Sequence, residues 1–97
     1  MTTFEELQAA VNAGGTVKDG TVTNTTDGKA VVNNIGTVAF ENCTLSANNY
    51  YPLYNNCTAT VTDSTLNGNN SDDSICNDRG YSDTVTLTLS GTVNMFS

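Results

Sequence analysis

The sequence predicts an all-β chain wound as a short parallel β-helix, with about three to four coils behind an N-terminal amphipathic helix. Three observations carry this reading. Two independent motifs recur in step, about 22 residues apart. Between them, apolar residues alternate with polar ones in the two-residue period of strands. The helix formers Lys, Glu and Leu are scarce after about Gln8, while Thr, a strand former, and Asn, a turn former, abound.

The first motif is a small residue, then Thr, then Val or Leu. It occurs as Gly20-Thr21-Val22, Cys43-Thr44-Leu45, Ser64-Thr65-Leu66 and Gly91-Thr92-Val93, with first positions 23, 21 and 27 residues apart. The second reads Val31-Val32-Asn33-Asn34, Leu53-Tyr54-Asn55-Asn56 and Ile75-Cys76-Asn77-Asp78, spaced by 22 both times. Such a repeat holds three short strands that turn three corners and return one strand spacing higher, about 4.8 Å. Alternate side chains then point inward and stack on the same position of the next coil. The expected inward files are Val31, Leu53 and Ile75; Val38, Ala59 and Leu87; and Val22, Leu45, Leu66 and Val93. Asn33, Asn55 and Asn77 are expected to share a corner file, with Asn34 and Asn56 in the next, their amides bonding along the stack. A small antiparallel sandwich would also explain alternation and Asn-rich turns. It would not explain two motifs recurring in step.

The opening segment reads as a cap over the first coil. Thr3-Phe4-Glu5-Glu6 is a capping box, in which Thr3 accepts from a backbone amide and Glu6 reaches back. Phe4, Leu7, Ala10 and Val11 fall on one helical face. Gly14-Gly15 ends the helix. The expected division is a helical cap over residues 1–15 and coils over 16–97, in one domain.

Composition narrows the function. A chain of 97 residues buries only a thin core. Lys18, Lys29 and Arg79 stand against ten carboxylates, for a net charge of -7. That excludes phosphate-based nucleic-acid binding and attachment to anionic membranes. No apolar run approaches the length of a membrane span. Met1 to Ala10 lacks the basic start and apolar stretch of a secretory signal, so the protein is made in the cytosol or the sequence omits a leader. Cys43, Cys57 and Cys76 are odd in number and read as reduced, small core residues rather than a disulfide framework. With no histidine and no C-x-x-C, a zinc site is not expected.

Candidate sites are few. The stretch from Asn67 to Asp83 holds Asp72, Asp73, Asp78 and Asp83 beside Arg79 and Tyr81. The spacing of 27 places an insertion there, at Asp78 to Asp83, and insertions in repeat folds form surface loops on working faces. Asp78, Arg79 and Tyr81 are therefore candidate binding residues. The acidic set does not have the spacing of a calcium loop, and no metal or other cofactor is assigned. Tyr50, Tyr51 and Tyr54, around Pro52, are the densest aromatic group, able to stack on sugar rings or a protein surface. With Leu53 inward, Pro52 and Tyr54 should face outward, Tyr54 beside Val32 and Cys76. The outward Thr file Thr21, Thr44, Thr65 and Thr92 lies beside Thr23, Ser46, Asn67 and Asn94, which breaks the double row an ice-binding face needs. Met95 and Phe96 sit at the last coil, which has no evident cap. Either they fold over that end or another chain docks there, and self-association is expected.

No catalytic residue is assigned. The chain has no Ser-His-Asp set and no lysine-bearing glycine loop.

The run Gly36-Thr37-Val38-Ala39-Phe40-Glu41-Asn42-Cys43-Thr44-Leu45-Ser46-Ala47-Asn48-Asn49 has a counterpart. It is Thr58-Ala59-Thr60-Val61-Thr62-Asp63-Ser64-Thr65-Leu66-Asn67-Gly68-Asn69-Asn70. Together they resemble the right-handed parallel β-helices of the pectate-lyase-like superfamily, over roughly residues 16 to 97. The Thr-Phe-x-x-Leu-x-x-Ala-Val opening is similar to that of phage and bacterial members. The resemblance implies a right-handed winding but not an activity, since this fold serves lyases, tailspikes, adhesins and passive scaffolds. The lyases combine calcium with a basic residue, and only Arg79 stands near the acidic stretch, without a matching motif. The expected function is a non-catalytic structural or assembly module. A phage virion accessory protein is expected, such as a capsid decoration, head fibre or spike domain. Its expected partners are itself and a capsid or tail protein, on a virion assembled in the host cytoplasm. The alternatives are a glycan-binding piece of a tailspike or adhesin at a cell surface or outside the cell, and a polysaccharide lyase or hydrolase.

Overall fold

The computed structural model describes residues 3–71, 74–77 and 85–96. One helix, α1 (Phe4–Ala13), precedes short strands. They are β1 (Gly15–Lys18), β2 (Thr21–Asp27), β3 (Val32–Asn34), β4 (Thr37–Glu41), β5 (Thr44–Asn48), β6 (Leu53–Asn55), β7 (Thr58–Thr62), β8 (Thr65–Asn67), β9 (Ile75–Asn77), β10 (Thr86–Ser90) and β11 (Asn94–Phe96).

Every strand pairing among the described residues is parallel. Each sheet takes every third strand: β1-β4-β7-β10, β2-β5-β8-β11 and β3-β6-β9. The chain therefore visits three sheets in fixed order and returns to each one strand further on. An antiparallel sandwich would need opposed neighbours, and none occurs among the described strands.

Burial alternates as the pleat demands. Val22, Leu45 and Leu66 align across β2, β5 and β8 and are all but fully buried. Val38, Ala59 and Leu87 align across β4, β7 and β10, as expected. Beside them Val17, Phe40, Val61 and Leu89 form a further file. Removing this apolar surface from water is the main stabilising term, because the thin core has no larger one.

Two files differ from the sequence reading. The residue paired with Leu53 is Val32, not Val31, and the corner file is Asn34, Asn55 and Asn77 rather than Asn33, Asn55 and Asn77. Val31 and Val32 are both fully buried, so an apolar doublet gave no signal of phase. The fourth member of the Val22 file is Met95, not Val93. The reason lies at the corner between the first two sheets. Asp19, Asn42, Asp63 and Gly91 all have positive φ there, and the next strand starts two positions later on the first three occasions and three positions later on the last. Gly91 thus occupies the left-handed corner position, not the small inward position of Gly20, Cys43 and Ser64. Accordingly Asn94 and Phe96, not Thr92 and Asn94, end the two outward files. Pro52 is buried rather than outward, and its carbonyl accepts from the amides of Val31 and Val32 at 3.0 Å each.

Asn34 and Asn55 are the buried rungs of a ladder that ends on the exposed Asn77. Asn34 Nδ2 donates to Asn55 Oδ1 at 2.9 Å, and Asn55 Nδ2 to Asn77 Oδ1 at 2.7 Å. Asn34 also donates to the carbonyls of Gly36 and Thr58 and accepts from the Gly36 amide. The corners from β3 to β4 and from β6 to β7 are thus tied by side-chain amides, which satisfies polar groups that burial would otherwise make costly.

The cap is as expected. Thr3 and Glu6 form the reciprocal capping box. Leu7 and Val11 are buried, and the helix ends at Gly14, whose φ of 80° suits glycine. α1 packs across β3, β1 and β2.

Candidate functional site

The two ends of the stack set the possible sites. At the N-terminal end α1 covers the first pass. Gln8 does more than pack: its Nε2 donates to Asn33 O at 2.8 Å, and its Oε1 accepts from Asn33 N at 2.9 Å. A side-chain amide thereby takes the place of a neighbouring strand on the free edge of β3. Gln8 also donates to Asn12 Oδ1, which fixes its rotamer.

At the opposite end no strand lies beyond β9, β10 or β11 among the described residues. Leu89, Met95 and Phe96 are 41%, 46% and 54% exposed. Leu89 and Met95 belong to inward files whose other members are buried, so their exposure shows that the described residues supply no covering layer there. Met95 and Phe96 lie in β11, paired with Leu66 and Asn67. They extend the second sheet and do not fold over the end.

The tyrosines come together. Tyr50 and Tyr51 have ring centroids 4.7 Å apart at 52°, and Tyr51 and Tyr54 meet edge-on at 6.1 Å. All three are half-buried, and Tyr50 packs against the core. Tyr54 lies beside Asn33 and Cys76 in the register, not beside Val32. This follows from the one-residue phase shift of β3.

Tyr50 also forms one wall of a groove of about 770 Å³ that the sequence did not reveal. Its other walls include Thr23, Thr25, Thr26, Lys29 and the start of α1. The groove exists because β2 bulges: Thr23 pairs with Ser46 but Asp27 with Asn48, leaving extra residues on β2. Asn24 stabilises the bulge, donating to Ala30 O and accepting from the Thr26 amide. Threonine hydroxyls and an aromatic ring, with Glu5 and Lys29 also in the lining, can hydrogen-bond and stack on a polyhydroxylated ligand.

Asp78, Arg79 and Tyr81 lie outside the described residues, as do Asp72, Asp73 and Asp83. Residues 35 and 36 join β3 to β4, and 56 and 57 join β6 to β7, whereas between β9 and β10 only Val85 is described. Among the described residues, no group of three or more acidic, Cys or His side chains is placed to hold a metal.

No disulfide joins the three cysteines. Cys43 is a core residue as expected, while Cys57 and Cys76 are only half-buried. Burial, above all, pushes the Cys43 thiol above the ordinary range, and its Sγ donates to the carbonyls of Val17 and Glu41. A thiol so held stays protonated and is a poor nucleophile.

No helix among the described residues is long and apolar enough to cross a membrane. In comparisons with known proteins, no family model, curated protein or solved structure gives a significant match.

Proposed function

We propose that the chain is a short right-handed parallel β-helix of the pectate-lyase-like kind that works as a non-catalytic assembly module. The order in which three parallel sheets receive successive strands supports the winding, and parallel crossovers favour the right-handed sense. The observation that carries the assembly reading is the contrast between a sealed first edge and a bare last one. Uncovered strand edges carrying apolar side chains accept another chain. Within this reading the protein is a virion accessory, as a capsid decoration, head fibre or spike domain of a phage. It would associate with itself or with a capsid or tail protein. A rigid, acidic, Thr- and Asn-surfaced module of this size suits repeated copies on a larger particle.

A second reading is favoured by one observation, the Tyr50 wall of the hydroxyl-lined groove. It makes the chain a glycan-binding β-helix of a tailspike or adhesin, at a cell surface or outside the cell. One pair of experiments separates the two. Sedimentation should report a defined oligomer under the assembly reading. A glycan array should give a signal that Tyr50→Ala abolishes under the binding reading. A strictly monomeric chain that binds glycan would replace the first reading with the second.

A further inference from the structure

We infer that the bare end pairs with the same end of a second copy, giving a closed two-fold dimer rather than a filament. This rests on the assembly reading above and names its partner and symmetry.

Head-to-tail stacking would have to lay β9, β10 and β11 of one copy on β3, β1 and β2 of the next. That edge is taken. α1 lies across it, and Gln8 already bonds both the amide and the carbonyl of Asn33. A heterologous contact that cannot repeat cannot build a fibre, whereas a surface that meets its own copy closes after two.

Charge favours the same partner. The protein carries a net charge of -7, yet Ile75–Asn77, Thr86–Ser90 and Asn94–Phe96 contain no ionisable carboxylate or cation. Along these strands themselves, a second copy therefore opposes no like charges. The molecule extends 29 × 26 × 25 Å, so an end face covers about 600 Å² and a dimer about 1,200 Å² in total, the lower bound for a specific interface. Association should be reversible and visible on dilution.

The register follows from the longest strand at that end. β10 spans Thr86–Ser90, centred on Thr88. A two-fold axis at Thr88 runs β10 antiparallel to its copy and sets Leu87 opposite Leu89 of the second copy. Both leucines lie on the inward side, so the exposed Leu89 gains an apolar neighbour that the described residues of its own chain do not supply on that edge.

The test is sedimentation equilibrium of the 97-residue chain over a wide concentration range, with two charge variants. Leu89→Lys changes the bare end at a side chain already 41% exposed. Glu5→Lys changes the capped end at an exposed helix position. Circular dichroism confirms that both are folded. The expected result is a monomer–dimer equilibrium with no larger species, weakened at least about tenfold by Leu89→Lys and unchanged by Glu5→Lys. Open-ended polymers, or a dimer indifferent to Leu89→Lys, would overturn the two-fold pairing and leave the assembly reading standing. A chain monomeric at every concentration would overturn the pairing and self-assembly together.

Discussion

The first and last edges of this molecule are built from the same kind of strand and are finished in opposite ways. At the first edge, Leu7 and Val11 of α1 lie over the core and Gln8 satisfies the backbone of β3. At the last, Leu89 and Met95 hold the positions that Val61 and Leu66 hold one pass earlier. There Val61 and Leu66 are fully buried, and Leu89 and Met95 are 41% and 46% exposed. Position in the file does not bury a residue; the next layer does. In a stacked fold, stability accrues through neighbours on both sides, so the same substitution should cost unequal amounts at the two ends.

The largest expected contrast is between Leu7→Ala and Met95→Ala. Removing a fully buried leucine should cost about 2–5 kcal/mol, and truncating the half-exposed Met95 below about 1 kcal/mol, both read from urea denaturation. Equal costs would mean that the last edge is covered in solution. Next comes Asn55→Leu, in the middle of the ladder. It strips partners from Asn34 and from the corner backbone, at about 1–3 kcal/mol for each group left unsatisfied. The same change at Asn77, which is exposed, should cost less.

Gln8→Ala sharpens the comparison from the other side. The expected loss is about 1 kcal/mol for the broken bonds to Asn33, small enough to keep the fold. It frees the edge of β3, and light scattering should then detect species larger than those of the unaltered chain. Unchanged scattering would show that helix packing alone seals that edge.

The smallest effect concerns the thiols. Cys43 has a raised folded-state pKa, so at alkaline pH the unfolded chain releases its proton first. The sign is therefore a loss: the contribution is full below the ordinary thiol pKa and declines as pH climbs from there toward the folded value. Thiol labelling at mildly alkaline pH should modify Cys57 and Cys76 first and Cys43 only through opening of the core. Cys43→Ala should flatten the alkaline decline.

Much of this architecture was legible because strict alternation and a recurring small-Thr-apolar motif report the inward phase directly. They placed Val22, Leu45, Leu66, Val38, Ala59 and Leu87 correctly. Legibility failed where the local signal was degenerate. The doublet Val31-Val32 has no polar residue to mark the pleat, and Gly91 looks like a small inward residue but serves as a left-handed corner. The tyrosine group could be read as a cluster, whereas the groove beside it could not. That groove depends on a bulge in β2 and on where α1 begins, which are tertiary facts. The Gln8 latch was equally silent, since a glutamine on a helix surface carries no mark of a partner 25 positions away.

Residue-resolved amide hydrogen exchange tests the unequal edges most directly. The account predicts that the Asn33 amide is strongly protected by Gln8 although no described strand lies on that edge of β3, while protection falls across β10 and β11 in dilute protein and rises with concentration. Fast exchange at Asn33, together with protection of β10 and β11 that is high and independent of concentration, would contradict it.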